Sequence, residues 1–240
     1  MLRSVQRQAE FFRKVEMSMK CKWILSLFCA LLLLGSAALA EGEAAAPAEE
    51  AQPNVYVLEA ELTNLENKYG SGYSGSTTGT GMITGDDTDS KTASNGYYVS
   101  WLYYPGAYLS FEFEAAEDID DLTIVLRLSA QYNSINVKGD QLIVGINYDE
   151  DAEAYEQQFD FPLTIESYSE FSSRVMDFQD YLVVENVSIK KGYNAVELLI
   201  NNDIKGVGGT MKAAAPLVDC LILYTDGVIT PITYNPAYVN

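Results

Sequence analysis

The sequence predicts an all-β fold, an antiparallel β-sandwich of the jelly-roll type. From Asn54 onward, apolar and polar residues alternate with a period of two, which places one row of side chains in a core and the other in solvent. Tyrosine, valine, isoleucine and phenylalanine are frequent there, and all 17 tyrosines lie in this part of the chain. No segment beyond Asn54 has the long 3.6-residue apolar period of an amphipathic helix.

Eight strands follow from this alternation. In Tyr108–Glu114, for example, Leu109, Phe111 and Phe113 share one face, and polar residues occupy the other. Turn-rich stretches separate most of the strands, and Lys191–Asn194 predicts a tight turn between two of them. The predicted strands are Val55–Leu62, Tyr97–Trp101, Tyr108–Glu114, Asp121–Ala130, Gln141–Asn147, Leu182–Lys190, Tyr193–Asn201 and Leu217–Tyr224.

The N-terminal residues are typical of an export signal. Met19–Ala40 contains two lysines, an apolar run and the cleavage sequence Ala38-Leu39-Ala40. The alternative, a retained membrane anchor, is disfavoured because the apolar run is short for a membrane span. We therefore expect a secreted, extracellular or cell-surface protein with a cleaved signal peptide and no membrane span in the mature chain. The predicted regions are an over-extended N-terminus at 1–18, the signal peptide at 19–40, a disordered linker at 41–53, the sandwich domain at 54–228 and a C-terminal tail at 229–240.

The mature chain is strongly acidic. Removal of residues 1–40 takes six basic and two acidic residues from totals of 15 and 34, which leaves 9 and 32 and a net charge of −23. Nucleic acids and anionic lipids bind basic surfaces, so we expect no nucleic-acid partner. Such a surface suits divalent cations and neutral or cationic ligands.

The chain contains no histidine, which excludes Ser-His-Asp and Cys-His catalysis and zinc sites that use histidine. Of the three cysteines, Cys21 and Cys29 lie in the signal peptide, so the mature chain has no partner for an intrachain disulfide with Cys220. Because Cys220 lies inside an apolar strand, we predict a buried, unreactive thiol.

Two carboxylates lie close together near the start of the domain. Glu59 and Glu61 flank Ala60 in the first predicted strand, and a spacing of two places both side chains on one face. Like charges side by side are costly, and Ca²⁺, which prefers oxygen ligands, is a natural counter-ion. The alternative is a solvated outer face, because exposed carboxylate pairs are common.

An aromatic stretch follows at Tyr97–Tyr104, with five aromatic side chains in eight residues. Flat aromatic rings outside a core suit the apolar faces of sugar rings. The alternative is that some of these rings belong to the core, because along a strand only one row of alternate side chains faces inward. We expect two of the five to be exposed.

Five short motifs also recur in a familiar order. They are Glu59-Ala60-Glu61, Asn95–Val99, Pro105–Phe111, Lys191–Val196 and Val218–Leu223. In this order they resemble the calcium-containing β-sandwich carbohydrate-binding modules of families 6, 35 and 36, over Val55 to Asp226. The resemblance implies a non-catalytic module that binds a polysaccharide or another glycan and contains a structural Ca²⁺.

The resemblance also implies particular site residues. By position, the metal ligands are Glu59, Glu61 and Asp219, and the sugar site lies in loops at one end of the sandwich. The loop before the last strand, Asn202–Pro216, lacks the aromatic residue that the family places there, so Tyr155 is considered as a substitute. The candidate sugar contacts are Tyr98, Trp101, Tyr103, Tyr104, Tyr155 and Asn202.

Two other function classes remain open at this point. The first is a cell-surface structural or protein-interaction sandwich that has lost sugar binding, which the aromatic-free loop favours. The second is a glycoside hydrolase acting through paired carboxylates, which a single small sandwich without histidine disfavours. We expect a protein that is not an enzyme and that acts alone or beside a separate carbohydrate-active enzyme or surface protein.

Overall fold

The structure is a computed structural model that describes residues 52–65, 81–86, 88, 91–168, 174–205, 212–235 and 237. The over-extended N-terminus, the signal peptide and all of the linker except Gln52 and Pro53 lie outside these residues. Within the described ranges, no helix is long and apolar enough to cross a membrane.

Strands dominate the described part of the chain. Two short 3₁₀ helices interrupt them, at Ala60–Leu62 and Gly139–Gln141. The strands are β1 (Asn54–Glu59), β2 (Met82–Gly85), β3 (Tyr97–Ser100), β4 (Tyr108–Ala115), β5 (Ile119–Ser129), β6 (Ile135–Val137), β7 (Leu142–Asp149), β8 (Ala154–Asp160), β9 (Leu163–Ile165), β10 (Gln179–Ile189), β11 (Gly192–Ile200), β12 (Leu217–Thr225) and β13 (Ile229–Pro231).

The strands form two main antiparallel sheets. The six-stranded sheet has the order β10-β5-β12-β3-β2, with β1 paired to β12, and the five-stranded sheet has the order β13-β4-β11-β7-β8. Strands β6 and β9 form a small third sheet. Every strand pairing in the described part of the chain is antiparallel, so the predicted all-β, antiparallel sandwich is confirmed.

One hydrophobic core draws side chains from both main sheets. Phe111 and Phe113 of β4 belong to the same buried cluster as Leu126 and Leu128 of β5 and Leu221 of β12. Burying a side chain of this size contributes about 1.5–3 kcal/mol. The alternation of buried and exposed residues along β4 is the one that the sequence predicts.

A second, smaller cluster covers part of the six-stranded sheet. Tyr98 of β3 packs against Phe178 with ring centroids 5.2 Å apart, and Ala93, Val175 and Leu217 complete the cluster. The segment before β3 and the segment before β10 are therefore fixed to the sheet by apolar packing.

The sequence prediction misses five strands, which are β2, β6, β8, β9 and β13. Three of them have only three residues, too few to establish an alternation. β8 is polar because it lies at the edge of its sheet, where only Tyr155, Gln157 and Phe159 are half-buried. The predicted domain end at 228 is also wrong: β13 pairs with β4, and Asn235 donates hydrogen bonds to the carbonyls of Glu61 and Thr63.

A buried asparagine closes the turn between β10 and β11. Asn194 is fully buried, and its Nδ2 donates to the carbonyls of Lys190 and Gly192 at 2.8 and 2.9 Å. Its Oδ1 accepts a hydrogen bond from Asn147 Nδ2 at 3.1 Å. These bonds hold the left-handed Gly192, whose φ is 101°, within the tight turn.

Replacing this side chain should destabilise the fold. In Asn194→Ala, buried polar partners lose their hydrogen bonds, which should cost about 2 kcal/mol of unfolding free energy. Urea denaturation measures the change, and Asn136→Ala, at an exposed position on β6, is the control. Equal stability of the two variants would contradict the structural role of Asn194.

Candidate functional site

A cluster of acidic side chains lies where β1 ends beside β12. Glu59, Asp219 and Cys220 place their potential ligand atoms within 4.8 Å of one another. Glu59 ends β1 and pairs with Cys220 across the ladder. The sheet pairing itself therefore brings these residues together from opposite ends of the domain sequence.

A β-bulge directs Asp219 into the cluster. The register between β12 and β5 passes from Val218 opposite Leu128 to Cys220 opposite Arg127, so Asp219 has no partner on β5. Bulges of this kind change the direction of a side chain and often occur at sites. The Asp219 carboxylate is fully buried as a result.

The loop before β3 contacts the cluster from above. The Ser94 N–H donates to both oxygens of Asp219 at 3.0 Å. The Ser94 hydroxyl lies 2.5 Å from Glu59 Oε2 and 3.1 Å from Asp219 Oδ1, so it bridges the two carboxylates. Asn95 Nδ2 donates to Glu61 Oε1 at 2.8 Å. The carboxylates therefore position the segment that leads into β3.

The expected placement of Glu61 on the strand is wrong. The chain leaves β1 at Glu59 and turns through the 3₁₀ helix, where the N–H and the hydroxyl of Thr63 both donate to the carbonyl of Ala60. Glu61 nevertheless lies close enough to Glu59 for that charge to raise its pKa. Its Oε2 is buried and makes no hydrogen bond within the described residues.

Burial makes the charged form of these acids costly. Desolvation raises the pKa of Glu59 and of Glu61, and it raises the pKa of Asp219 to about 7. The nearest cation is Arg127, whose Nε lies 3.3 Å from Asp219 Oδ2 and whose Nη1 lies 3.4 Å from Asp180. One guanidinium shared with a fourth carboxylate does not neutralise three acids.

This residue set fits a hard cation. Ca²⁺ prefers several oxygen ligands, and carboxylates supply them. The buried Glu61 Oε2 is an oxygen that lacks a partner among the described residues. Cys220 adds nothing to such a site, because burial raises the pKa of its thiol and keeps it neutral. The thiol is free and buried, as the sequence predicts.

Aromatic side chains gather beyond the end of β3. Trp101 and Tyr103 have ring centroids 5.4 Å apart, and Tyr132, from the loop after β5, is near enough to influence the pKa of Tyr103. Trp101 has a φ of 69°, a left-handed conformation that costs energy in a non-glycine residue. Four other non-glycine residues of the described chain share this conformation, at Lys91, Asn147, Glu153 and Asn186.

Two of the predicted sugar contacts do not fit. Tyr98 is only 1% exposed, because its ring belongs to the second apolar cluster. Asn202 is buried, and its Nδ2 donates to the carbonyls of Gln141 and Ala214 while its Oδ1 accepts from the N–H groups of Ile204 and Ala214. This asparagine closes its own loop, and its amide is already used.

The other candidates divide between two places. Tyr104 is partly buried against the main core, beside Tyr103. Tyr155 does not lie near Trp101. It pairs with Tyr148 near the C-terminal end of β7, whereas the N-terminal end of β7 pairs with Ile200, which is hydrogen-bonded to the loop that follows Trp101. The sequence did not predict Tyr132, because it stands alone in a polar turn.

No family model and no curated protein matches the chain. The solved structures that the chain is similar to include CBM35 from Cellvibrio japonicus Abf62, at a TM-score of 0.42 and 13% identity over 74% of this chain and 97% of that one. Another is Xyl-CBM35 in complex with a glucuronic acid containing disaccharide, at a TM-score of 0.40 and 15% identity over 64% of this chain and 88% of that one. A third is the catalytic domain of a GH87 alpha-1,3-glucanase in complex with nigerose, at a TM-score of 0.40 and 16% identity over 77% of this chain and 30% of that one.

Family 35 modules are thus among these structures, and they are one of the families that the sequence motifs resemble. At such low identity and TM-score, the likeness carries no argument about what this chain binds. That argument depends on the residues of the two sites described above.

The raised pKa values predict how stability depends on pH. Because the folded state binds a proton on Asp219 more tightly than the unfolded state, the contribution of this carboxyl to stability should be fully present below about pH 4 and be lost as the pH rises toward the folded value of about 7. Glu59 and Glu61 shift in the same direction. Thermal unfolding in the presence of a chelator, at a series of pH values, measures this slope.

Asp219→Asn removes the group with the largest of these three shifts and should flatten the slope. Glu185→Gln, at an exposed position on β10, should leave it unchanged. An unchanged slope in Asp219→Asn would contradict the burial of this carboxylate.

Proposed function

We propose that the domain is a non-catalytic carbohydrate-binding module of an exported protein. The observation that carries this is the pair of Trp101 and Tyr103 with Tyr132 nearby, at one end of the sandwich. Tyr132 is exposed, and Trp101 and Tyr103 are only partly buried. Ring faces of this kind stack on the C–H faces of pyranose units, and hydroxyl-bearing rings add hydrogen bonds at a wet surface.

A structural Ca²⁺ is the second part of the proposal. Glu59, Glu61 and Asp219 would hold it, and it would supply the positive charge that the buried acids require. These residues already contact Ser94 and Asn95, directly before β3. Fixing this segment fixes the start of β3, and Trp101 follows the end of that strand.

The site at Trp101 acts by shape and stacking. The ligand is a polysaccharide or another glycan, and a separate carbohydrate-active enzyme or surface protein is the natural companion of such a module. Secretion or display at the cell surface follows from the predicted signal peptide.

Removal of the tryptophan ring should weaken glycan binding. We expect Trp101→Ala to weaken affinity for a bound polysaccharide at least about ten-fold, because buried aromatic contacts dominate such interfaces. Affinity electrophoresis against a panel of neutral and uronic acid polysaccharides finds the ligand, and calorimetry measures the change. Tyr168→Ala, which removes an exposed tyrosine between β9 and β10, is the matched control.

Retention of affinity in Trp101→Ala would overturn the assigned site. A panel without any binding polysaccharide at high protein concentration would overturn the glycan-binding function and favour a protein-interaction sandwich.

Calcium should stabilise the folded domain. An ion that binds only the native state stabilises it by about 2.7 kcal/mol at a hundred times its dissociation constant. We therefore expect Ca²⁺ to raise the thermal midpoint relative to a chelator, and Glu61→Gln to abolish this increase. Glu185→Gln should keep it. A Ca²⁺ response that persists in Glu61→Gln, or no response in the unmodified domain, would contradict the proposed ligands.

A further inference from the structure

The outer face of the five-stranded sheet carries a second set of aromatic side chains. This tyrosine–carboxylate face consists of Glu112, Tyr193 and Glu197 on the sheet, with Tyr155 and Tyr234 at its two sides. It shares no residue with the acidic cluster or with the rings of Trp101, Tyr103 and Tyr132. Neither of those sites therefore explains its composition.

Glu112 is the centre of the first half of this face. The Tyr234 hydroxyl donates a hydrogen bond to Glu112 Oε2, and Tyr193 is hydrogen-bonded to the same carboxylate. The side chains of Tyr193 and Tyr234 are 57% and 42% exposed. Their hydroxyls are thus oriented by one acid while much of each residue faces solvent.

Glu197 is the centre of the second half. The Tyr155 hydroxyl donates to Glu197 Oε2 at 2.8 Å. The Tyr155 ring lies directly on Gly145, the cross-strand neighbour of Glu197, where a Cβ would come within 2.3 Å of the ring. Tyr148 contacts Tyr155 edge-on at 5.1 Å and is 41% exposed. A glycine at this position allows the ring to lie flat against the sheet.

The face has one sign of charge. Strands β4, β7, β8, β11 and β13 contain no lysine, arginine or histidine. Their outward carboxylates include Glu112, Glu114 and Glu197, and both Glu112 and Glu197 raise the pKa of Tyr193. Tyr193 therefore lies within reach of the carboxylates of both halves of the face. Lys190 and Lys191 directly precede β11: the Lys190 ammonium is paired with Asp118 at 2.9 Å, and the charge of Lys191 also lowers the pKa of Asp118.

We propose that the tyrosine–carboxylate face binds a polysaccharide with free amino groups, such as a polymer of glucosamine. Electron-rich ring faces attract cations and also stack on pyranose rings, and carboxylates accept hydrogen bonds from ammonium groups. The large apolar side chains exposed on these strands are the tyrosines Tyr148 and Tyr193, and the exposed aliphatic Val228 lies outside them, before β13. Tyrosine rings with oriented hydroxyls at a wet surface suit a sugar polymer, which offers both C–H faces and hydroxyl groups.

Calorimetry with a glucosamine hexamer tests this, using the N-acetylated hexamer as the neutral probe of the same length. We expect the glucosamine hexamer to bind, with an affinity that falls as salt is added, and the N-acetylated hexamer to bind at least about ten-fold more weakly. The double variant Glu112→Gln, Glu197→Gln should lose this binding, because it keeps the shape of both side chains and removes their charge. Tyr193→Ala should also weaken it.

Glu185→Gln is the control on the other sheet, and thermal unfolding verifies that each variant is folded. Tyr168→Ala, which removes an exposed tyrosine between β9 and β10, should leave binding of the glucosamine hexamer unchanged, and a loss of binding in the double variant assigns the hexamer to this face rather than to the rings of Trp101, Tyr103 and Tyr132. Equal binding of the two hexamers, no binding, or full binding by the double variant would overturn the proposal. Tight binding of polylysine without binding of the hexamer would overturn it too, in favour of a basic protein partner.

Discussion

The burial of Glu61 and Asp219, with the half-buried Glu59 where β1 ends beside β12, is the constraint on which much of the site depends. A carboxylate removed from water must be neutralised or protonated, and Arg127 alone is shared between Asp219 and Asp180. The domain compensates in part with hydrogen bonds from Ser94 and Asn95. The same bonds fix the segment that leads into β3, so the hydrogen bonds that compensate the buried charges also determine where β3 begins.

The acidic cluster, the rings at Trp101 and the outward tyrosines of the five-stranded sheet lie at separate places on the sandwich. β12 joins three strands of one sheet, and its bulge delivers Asp219 to the acidic cluster. β3 begins beside that cluster and ends beside Trp101, whose strained backbone directs the ring toward Tyr103. The five-stranded sheet has neither feature, and its outward residues are tyrosines held by glutamates. A rigid two-sheet core thus supports distinct surfaces without any contribution from helices.

Much of the fold follows from the sequence because alternation is a local signal. β4, β5, β11 and β12 were predicted within two residues at either end, because β4 alternates against the core and β12 is a short apolar run that is buried almost throughout. Glu59 was predicted as an acidic candidate from its two-residue spacing to Glu61, and Asp219 from the resemblance alone. The 3₁₀ turn at Glu61 was not, because it depends on Thr63 closing onto Ala60, which a two-residue spacing does not reveal.

The rest of the site depends on tertiary contacts. Tyr98 and Trp101 belong to the same aromatic stretch, yet Phe178 buries the first, and a left-handed backbone redirects the second. Asn202 has the residue type of a sugar ligand, but its amide closes its own loop. Tyr132 lies near Tyr103, and Tyr234 pairs with Glu112, although both pairs are far apart in sequence. A pattern in a single sequence does not show which distant residues come into contact.

A crystal structure of the domain grown with Ca²⁺, with anomalous scattering used to locate the ion, would show whether the acidic cluster binds it. We expect an ion bound by oxygens of Glu59, Glu61 and Asp219, with Ser94 and Asn95 ordered beside it. A cluster without an ion, in which Arg127 alone neutralises Asp219, would contradict this expectation.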